Sequence, residues 1–208
     1  GTEFELEVLA FLNALFPDIQ SRLKGICNSS CPEYRSTVQD FQDNARLIKD
    51  MDPDHLEQWF SRLLPRSGRY IIGGVGRSGL VARAFEMRFT HLNKISYWER
   101  DFNTPSFQIG DVYIPITGIG NTYEALEGTV SALSHGSDVM PITANPSSRQ
   151  VMMLKKHGRE RDIAVIPVKP EYRDLFSGDT SSTTWLMSDY TKLRYPTFEI
   201  NASVFTNS

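Results

Sequence analysis

Arg69-Tyr-Ile-Ile-Gly-Gly-Val-Gly-Arg-Ser-Gly-Leu-Val-Ala-Arg-Ala-Phe-Glu-Met-Arg-Phe-Thr-His91 changes its hydrophobic period partway along. A short β-prone run at 70–72 breaks at Gly73, Gly74 and Gly76, and apolar residues then recur at helical spacing through Leu80, Val81, Ala84, Phe85, Met87 and Phe89. The spacing predicts strand, glycine turn, helix. Such a turn lets the backbone approach a ligand, and the unpaired N–H groups of the first helical turn converge on one point, so an anion is the natural occupant. Ser78 can cap the helix and offer a hydroxyl, and Arg77 brings a fixed positive charge to the same mouth. The same letters, Gly74-Val-Gly-Arg-Ser-Gly79, also satisfy the dinucleotide fingerprint, with Glu99 about twenty positions on where a ribose-binding acid is expected. The motif alone leaves both ligands open.

The 208 residues, 40% of them hydrophobic, suffice for one substantial core, and we expect one domain: a helical extension over 1–65 packed on the domain proper at 66–208. A net charge of −3 supplies no global basic field, which argues against nucleic acid or an anionic membrane as the main partner. Cys27 and Cys31 lack the His or Cys company of a zinc site and read as free thiols in a reducing compartment, so the expected location is cytoplasmic. The apolar segment 8–16 follows acidic Glu3, Glu5 and Glu7, the wrong charge for a signal peptide, and no apolar run is long enough to span a membrane.

Helices are expected over 4–23 and 38–48, and Pro53 opens a third through 56–64. Beyond the opening stretch the chain alternates: strands at 95–98, 111–117, 138–143 and 163–168, helices at 121–133 and 148–156. Alternation of this kind makes parallel βαβ units, hence a three-layer α/β/α sandwich around a five-stranded parallel sheet. Pro115 counts against a central place for the third strand. Residues 169–188 read as a polar loop or lid and 198–205 as a closing helix.

Ligands of open parallel sheets bind beyond the carboxyl ends of the strands. Three predicted strand ends carry hydroxyl residues: Arg77 and Ser78, then Thr117-Gly-Ile-Gly-Asn-Thr122, then Thr143-Ala-Asn-Pro-Ser-Ser148. Two such loops, each opening a helix, suit a compact phosphate better than an extended dinucleotide. The phosphate-binding candidates are Gly76, Arg77, Ser78, Thr117, Gly118, Gly120, Asn121, Thr122 and Ser148.

The run from Gly74 to His91 resembles the opening signature of the sugar isomerase (SIS) domain, and most specifically that of the 6-phospho-3-hexuloisomerases. Thr104-Pro105 with Gly110-Asp111-Val-Tyr-Ile, the loop from Thr117 to Thr122, the stretch 142–148 and Phe198-Glu199 are similar to later pieces of that family, in the same order. The resemblance implies a flavodoxin-like sheet and a bound sugar phosphate. It implies interconversion of 3-hexulose 6-phosphate and fructose 6-phosphate through a cis-enediol, without metal or organic cofactor. It further implies a homo-oligomer, dimer or tetramer, whose sites are shared between chains. Glu199 matches the catalytic glutamate that moves the carbon-bound proton, and His91 a histidine that polarises an oxygen or helps open the ring from across a subunit boundary. Two departures stand out. Ile119 occupies a place where the family carries a hydroxyl, a loss of about 1.5–3 kcal/mol if that contact is made elsewhere. Tyr195-Pro-Thr197 replaces the usual Gly-Thr-Leu before Phe198-Glu199. They motivate a rival reading, a non-catalytic module that binds a sugar phosphate and reports it to a partner; a nucleotide-dependent oxidoreductase, resting on Gly74, Gly76, Gly79 and Glu99, is a third.

Overall fold

The computed structural model describes residues 50–168, together with Asp43, Arg46 and Leu47. The expected helix at 4–23, both cysteines, the loop at 169–188, the closing helix and Glu199 lie outside the described residues; of the helix at 38–48 the three named residues are described, and all are helical.

The elements run α1 (Pro53–Leu63), β1 (Tyr70–Gly74), α2 (Arg77–His91), β2 (Ser96–Trp98), β3 (Val112–Thr117), α3 (Tyr123–Ser134), β4 (Asp138–Val139), β5 (Ile142–Thr143), α4 (Arg149–Lys156) and β6 (Ala164–Val165). Every pairing among them is parallel, and the order is β2-β1-β3-β5-β6 with β4 also on β3. This is the 2-1-3-4-5 order of flavodoxin-like sheets. The single strand expected at 138–143 is split: β4 pairs with Val112 and Tyr113, β5 with Ile116 and Thr117, and Met140-Pro141 falls between them. That split explains how Pro115 is tolerated in the middle of the sheet. The carbonyl of Tyr113 accepts from Met140 N, so Pro115, two residues on, turns its missing N–H to the same side, where it meets the interruption. Two prolines share one gap in the ladder.

Alternation along the strands builds two cores. Tyr70, Ile72, Val112, Ile114 and Ile116 face α1 and α2, packing with Trp59, Leu63, Phe85 and Phe89; Ile71 and Tyr113 face α3 and α4, packing with Ala132, Val151 and Leu154. α1 starts where Asp52 accepts from the amide of Asp54 at 3.0 Å and Pro53 takes the first helical position. Its Trp59 donates its indole N–H to the carbonyl of Asp162 at 2.9 Å, tying the helix to the start of the last strand.

Ion pairs gather at the amino ends of the strands. Arg62 meets Asp162 at 2.6 Å, Asp162 lies 3.9 Å from Arg159, and Asp138 joins Arg159 to Arg66. Beside them Arg69 grips Asp111 through both carboxylate oxygens, at 2.9 and 2.5 Å, and Gln108 N adds a third bond at 2.8 Å. Burial pushes the Asp111 carboxyl up, and these donors outweigh it, holding the group below the ordinary aspartate range. Among the described residues no helix is long and apolar enough to cross a membrane.

Candidate phosphate site at the carboxyl edge of the sheet

Strand order reverses between β1 and β3: the chain leaves β1 for β2 on one side and β3 for β4 on the other. Crevices form at such switch points, beyond the carboxyl ends. On one side stands the turn into α2. Gly76 takes a left-handed φ of 59° and occupies the N-cap, where it has no side chain to bond back to the helix. Gly79 lies so close under β1 that a Cβ there would come within 2.8 Å of the carbonyl oxygen of Gly74. Helix and strand therefore meet backbone to backbone, fixing where the first turn points. Arg77 is exposed at this mouth and Ser78 is buried in it.

On the other side is the loop between β3 and α3. Thr117 folds it, its buried hydroxyl accepting from Gly120 N at 3.1 Å. Gly118 offers its carbonyl to Ala144 N at 3.1 Å. Thr122 is the N-cap of α3, and its side chain makes no capping bond. At the switch point, then, the N-cap residues of α2 and α3, Gly76 and Thr122, make no side-chain capping bond. α4 is different. Its first three amides are taken up in turn by Asn121 Oδ1 (Arg149 N, 2.8 Å), the Gly120 carbonyl (Gln150 N, 3.3 Å) and Ser148 Oγ (Val151 N, 3.2 Å). Ser148 is 1% exposed. Hydroxyl and amide that read as anion ligands in the sequence are placed here as caps that hold the neighbouring loop.

Ile119 points away from the mouth: it is 8% exposed and belongs to the core with Ile116, Ile142 and Ala144. Its carbonyl accepts from Asn145 Nδ2 at 3.1 Å, while the Asn145 amide bonds to Thr143 Oγ1 and its Oδ1 to Ser147 N. Asn145, buried beside the loop, was not singled out by sequence reasoning; an Asn immediately before Pro146 at a strand end was the available signal. The backbone of 117–122 is therefore braced from the end of β5 and the start of α4.

His91 is the last residue of α2 and is exposed. Fourteen residues of helix put it about 21 Å along the axis from Arg77, so a single chain does not bring it to the mouth. Glu99 follows β2 at the sheet edge, where the dinucleotide fingerprint wants its acid, but Oε1 accepts from the buried hydroxyl of Tyr113 at 3.0 Å. Its carboxyl lies on the α3 side of β1, against Gly73 and Gly128.

No protein-family model matches the chain. It is 29% identical over 117 residues to the 3-hexulose-6-phosphate isomerase of Mycobacterium gastri, covering 52% of this chain and 58% of that one. To the 3-hexulose-6-phosphate isomerase of Methylomonas aminofaciens it is 37% identical over 86 residues, 41% of this chain and 48% of that. The matched part spans about half the length of these relatives. Among solved structures, a Methanococcus jannaschii protein with an inferred function of 3-hexulose-6-phosphate isomerase superposes with a TM-score of 0.60, at 23% identity over 83% of this chain and 85% of that. The NanR protein of Vibrio vulnificus, complexed with ManNAc-6P, gives 0.54 at 17% identity, over 83% and 57%. The described fold is thus the parallel α/β sheet with flanking helices that these solved structures share. Within that class the chain is similar to the 3-hexulose-6-phosphate isomerases.

Proposed function

We propose that the chain is a sugar-phosphate isomerase that interconverts 3-hexulose 6-phosphate and fructose 6-phosphate through a cis-enediol. The observation that carries the reading is the pair of helix N-termini, α2 and α3, that flank the switch point and whose N-cap residues, Gly76 and Thr122, make no side-chain capping bond. Each presents partial positive charge and backbone donors to a phosphate, and neither needs a lysine. Gly76, Arg77, Ser78 and Thr122 line the mouth in this reading; Thr117, Gly118, Gly120, Asn121 and Ser148 set the loop's shape. Glu199 removes the proton from one carbon and returns it to the next. Because His91 stands far from its own chain's mouth, it serves a neighbouring copy, making the active form a homo-oligomer. The relatives' isomerase names support the reaction class. The test is proton NMR of the protein with fructose 6-phosphate in deuterated water. We expect solvent exchange at the carbon-bound position and new isomer signals, both lost in Glu199→Gln. Binding without exchange across a panel of ketose and aldose phosphates would instead establish the sensor reading, for which Ile119 in place of a hydroxyl is the motive. Saturable NAD(H) binding would revive the oxidoreductase, and Glu99's engagement with Tyr113 speaks against it.

A further inference from the structure

One half-buried carboxyl has no task in that scheme. The amide of Glu99 donates to the Ile72 carbonyl at 2.9 Å, and the side chain turns across β1 toward β3. Two glycines leave it room. A Cβ on Gly73 would stand 2.2 Å from Glu99 Oε2 and 2.6 Å from the Tyr113 hydroxyl; a Cβ on Gly128 of α3 would stand 2.4 Å from that hydroxyl and 2.9 Å from Glu99 Oε1. The phenol, fully buried, donates to Oε1 at 3.0 Å and commits one oxygen. Gly73 is the last residue but one of β1, so the carboxyl stands at the carboxyl edge of the sheet, between the strand that leads into the Gly76 turn and the helix whose N-terminus flanks the mouth.

We propose that Glu99 is a second acid–base group of this site, passing protons to and from the oxygens of the bound sugar, with Tyr113 as its positioning residue. The inference rests on the isomerase reading. As the base takes the carbon-bound proton, the neighbouring carbonyl oxygen takes the carboxyl proton of Glu99, leaving a neutral enediol and a Glu99 carboxylate. In the second half the carboxylate takes the proton of the other enediol hydroxyl while the base returns its proton to the adjacent carbon. Both carboxyl groups finish as they began. The surroundings suit a proton donor: burial pushes Glu99 above the usual carboxylate range, the Tyr113 hydrogen bond and Arg100 oppose this, and Glu124 and Glu127 of α3 add to it.

The experiment compares the full-length wild type, Glu99→Gln and Tyr113→Phe by rate against pH with fructose 6-phosphate, by thermal melting, and by calorimetric titration with inorganic phosphate. Glu99→Gln is expected to lose about 100- to 1,000-fold in kcat while phosphate binding is not weakened. Tyr113→Phe removes a bond that favours the carboxylate, so the limb of the profile that reports Glu99 moves to higher pH, which a packing defect would not do. A wild-type rate in a cooperatively melting Glu99→Gln, or a wild-type pH profile in Tyr113→Phe, overturns the proposal; if Glu99→Gln does not fold, the second variant decides. A wild-type chain that binds phosphosugars and converts none overturns the isomerase reading itself, and with it any proton transfer by Glu99.

Discussion

Ile119→Ser puts a hydroxyl where the family resemblance leads one to expect it, and the structure says that it will not help. The Ile119 side chain is 8% exposed and packs into the core beside Ile116, Ile142 and Ala144, beneath the loop. The change removes three buried carbons, at about 0.8 kcal/mol each, and leaves a hydroxyl among apolar neighbours at a further cost of about 1 kcal/mol. With partial collapse of the cavity we expect a net loss of about 3 kcal/mol. For a chain of this size that lowers the melting temperature by about 6–12 °C. Urea unfolding followed by tryptophan fluorescence measures it, with buried Trp59 and half-buried Trp98 as reporters in the described region. Titration with inorganic phosphate should show no gain in affinity. A variant as stable as the wild type that binds phosphate more tightly would refute the reasoning, because residue 119 would then face the ligand.

Gly79→Ala would bring a Cβ to 2.8 Å from the Gly74 carbonyl and force α2 off β1. Expected are a loss of about 1–3 kcal/mol in melting experiments and a larger proportional loss in phosphate affinity, since the first helical turn is displaced; unchanged affinity would mean that the turn does not hold the anion. At the opposite edge, Asp111 lies below its ordinary pKa, so its stabilising contribution is complete above the unfolded value near 3.9 and is lost as pH falls through the lower folded value. Asp111→Asn should cost about 2–4 kcal/mol at neutral pH and flatten the acid limb of the stability curve; an unchanged acid limb would remove the Arg69–Asp111 pair from the account.

Much of this fold is legible because its signals are local. The glycines after 72 and the apolar spacing after Leu80 state strand, turn and helix without reference to anything distant, and β1 and α2 follow within a few residues of expectation. Pro115 looked anomalous because its tolerance depends on a break in another strand, and no periodicity within 111–117 carries that information. The loops were read by residue type, and there the limit is chemical: a serine at a helix start serves equally as cap or as anion ligand, and which it becomes depends on the partners that Asn121 and Gly120 supply to α4. The direction of Ile119 was hidden for the same reason, since a six-residue loop has no period from which an inward face can be read. Tyr113 reads as an ordinary strand aromatic; its meaning emerges only with Gly73 and Gly128 brought against it.

The chain of ion pairs from Arg62 through Asp162, Arg159 and Asp138 to Arg66 stitches α1, the approach to β1, β4 and the approach to β6 along one rim. The rim across the sheet carries the glycine turn and the hydroxyl loops instead. On the proposed function, durability and chemistry fall at opposite poles of the same five-position sheet. Substitutions in the loops can then retune what is gripped while the far pole keeps the strands in order, so a lineage could exchange one ligand for another without refolding its scaffold.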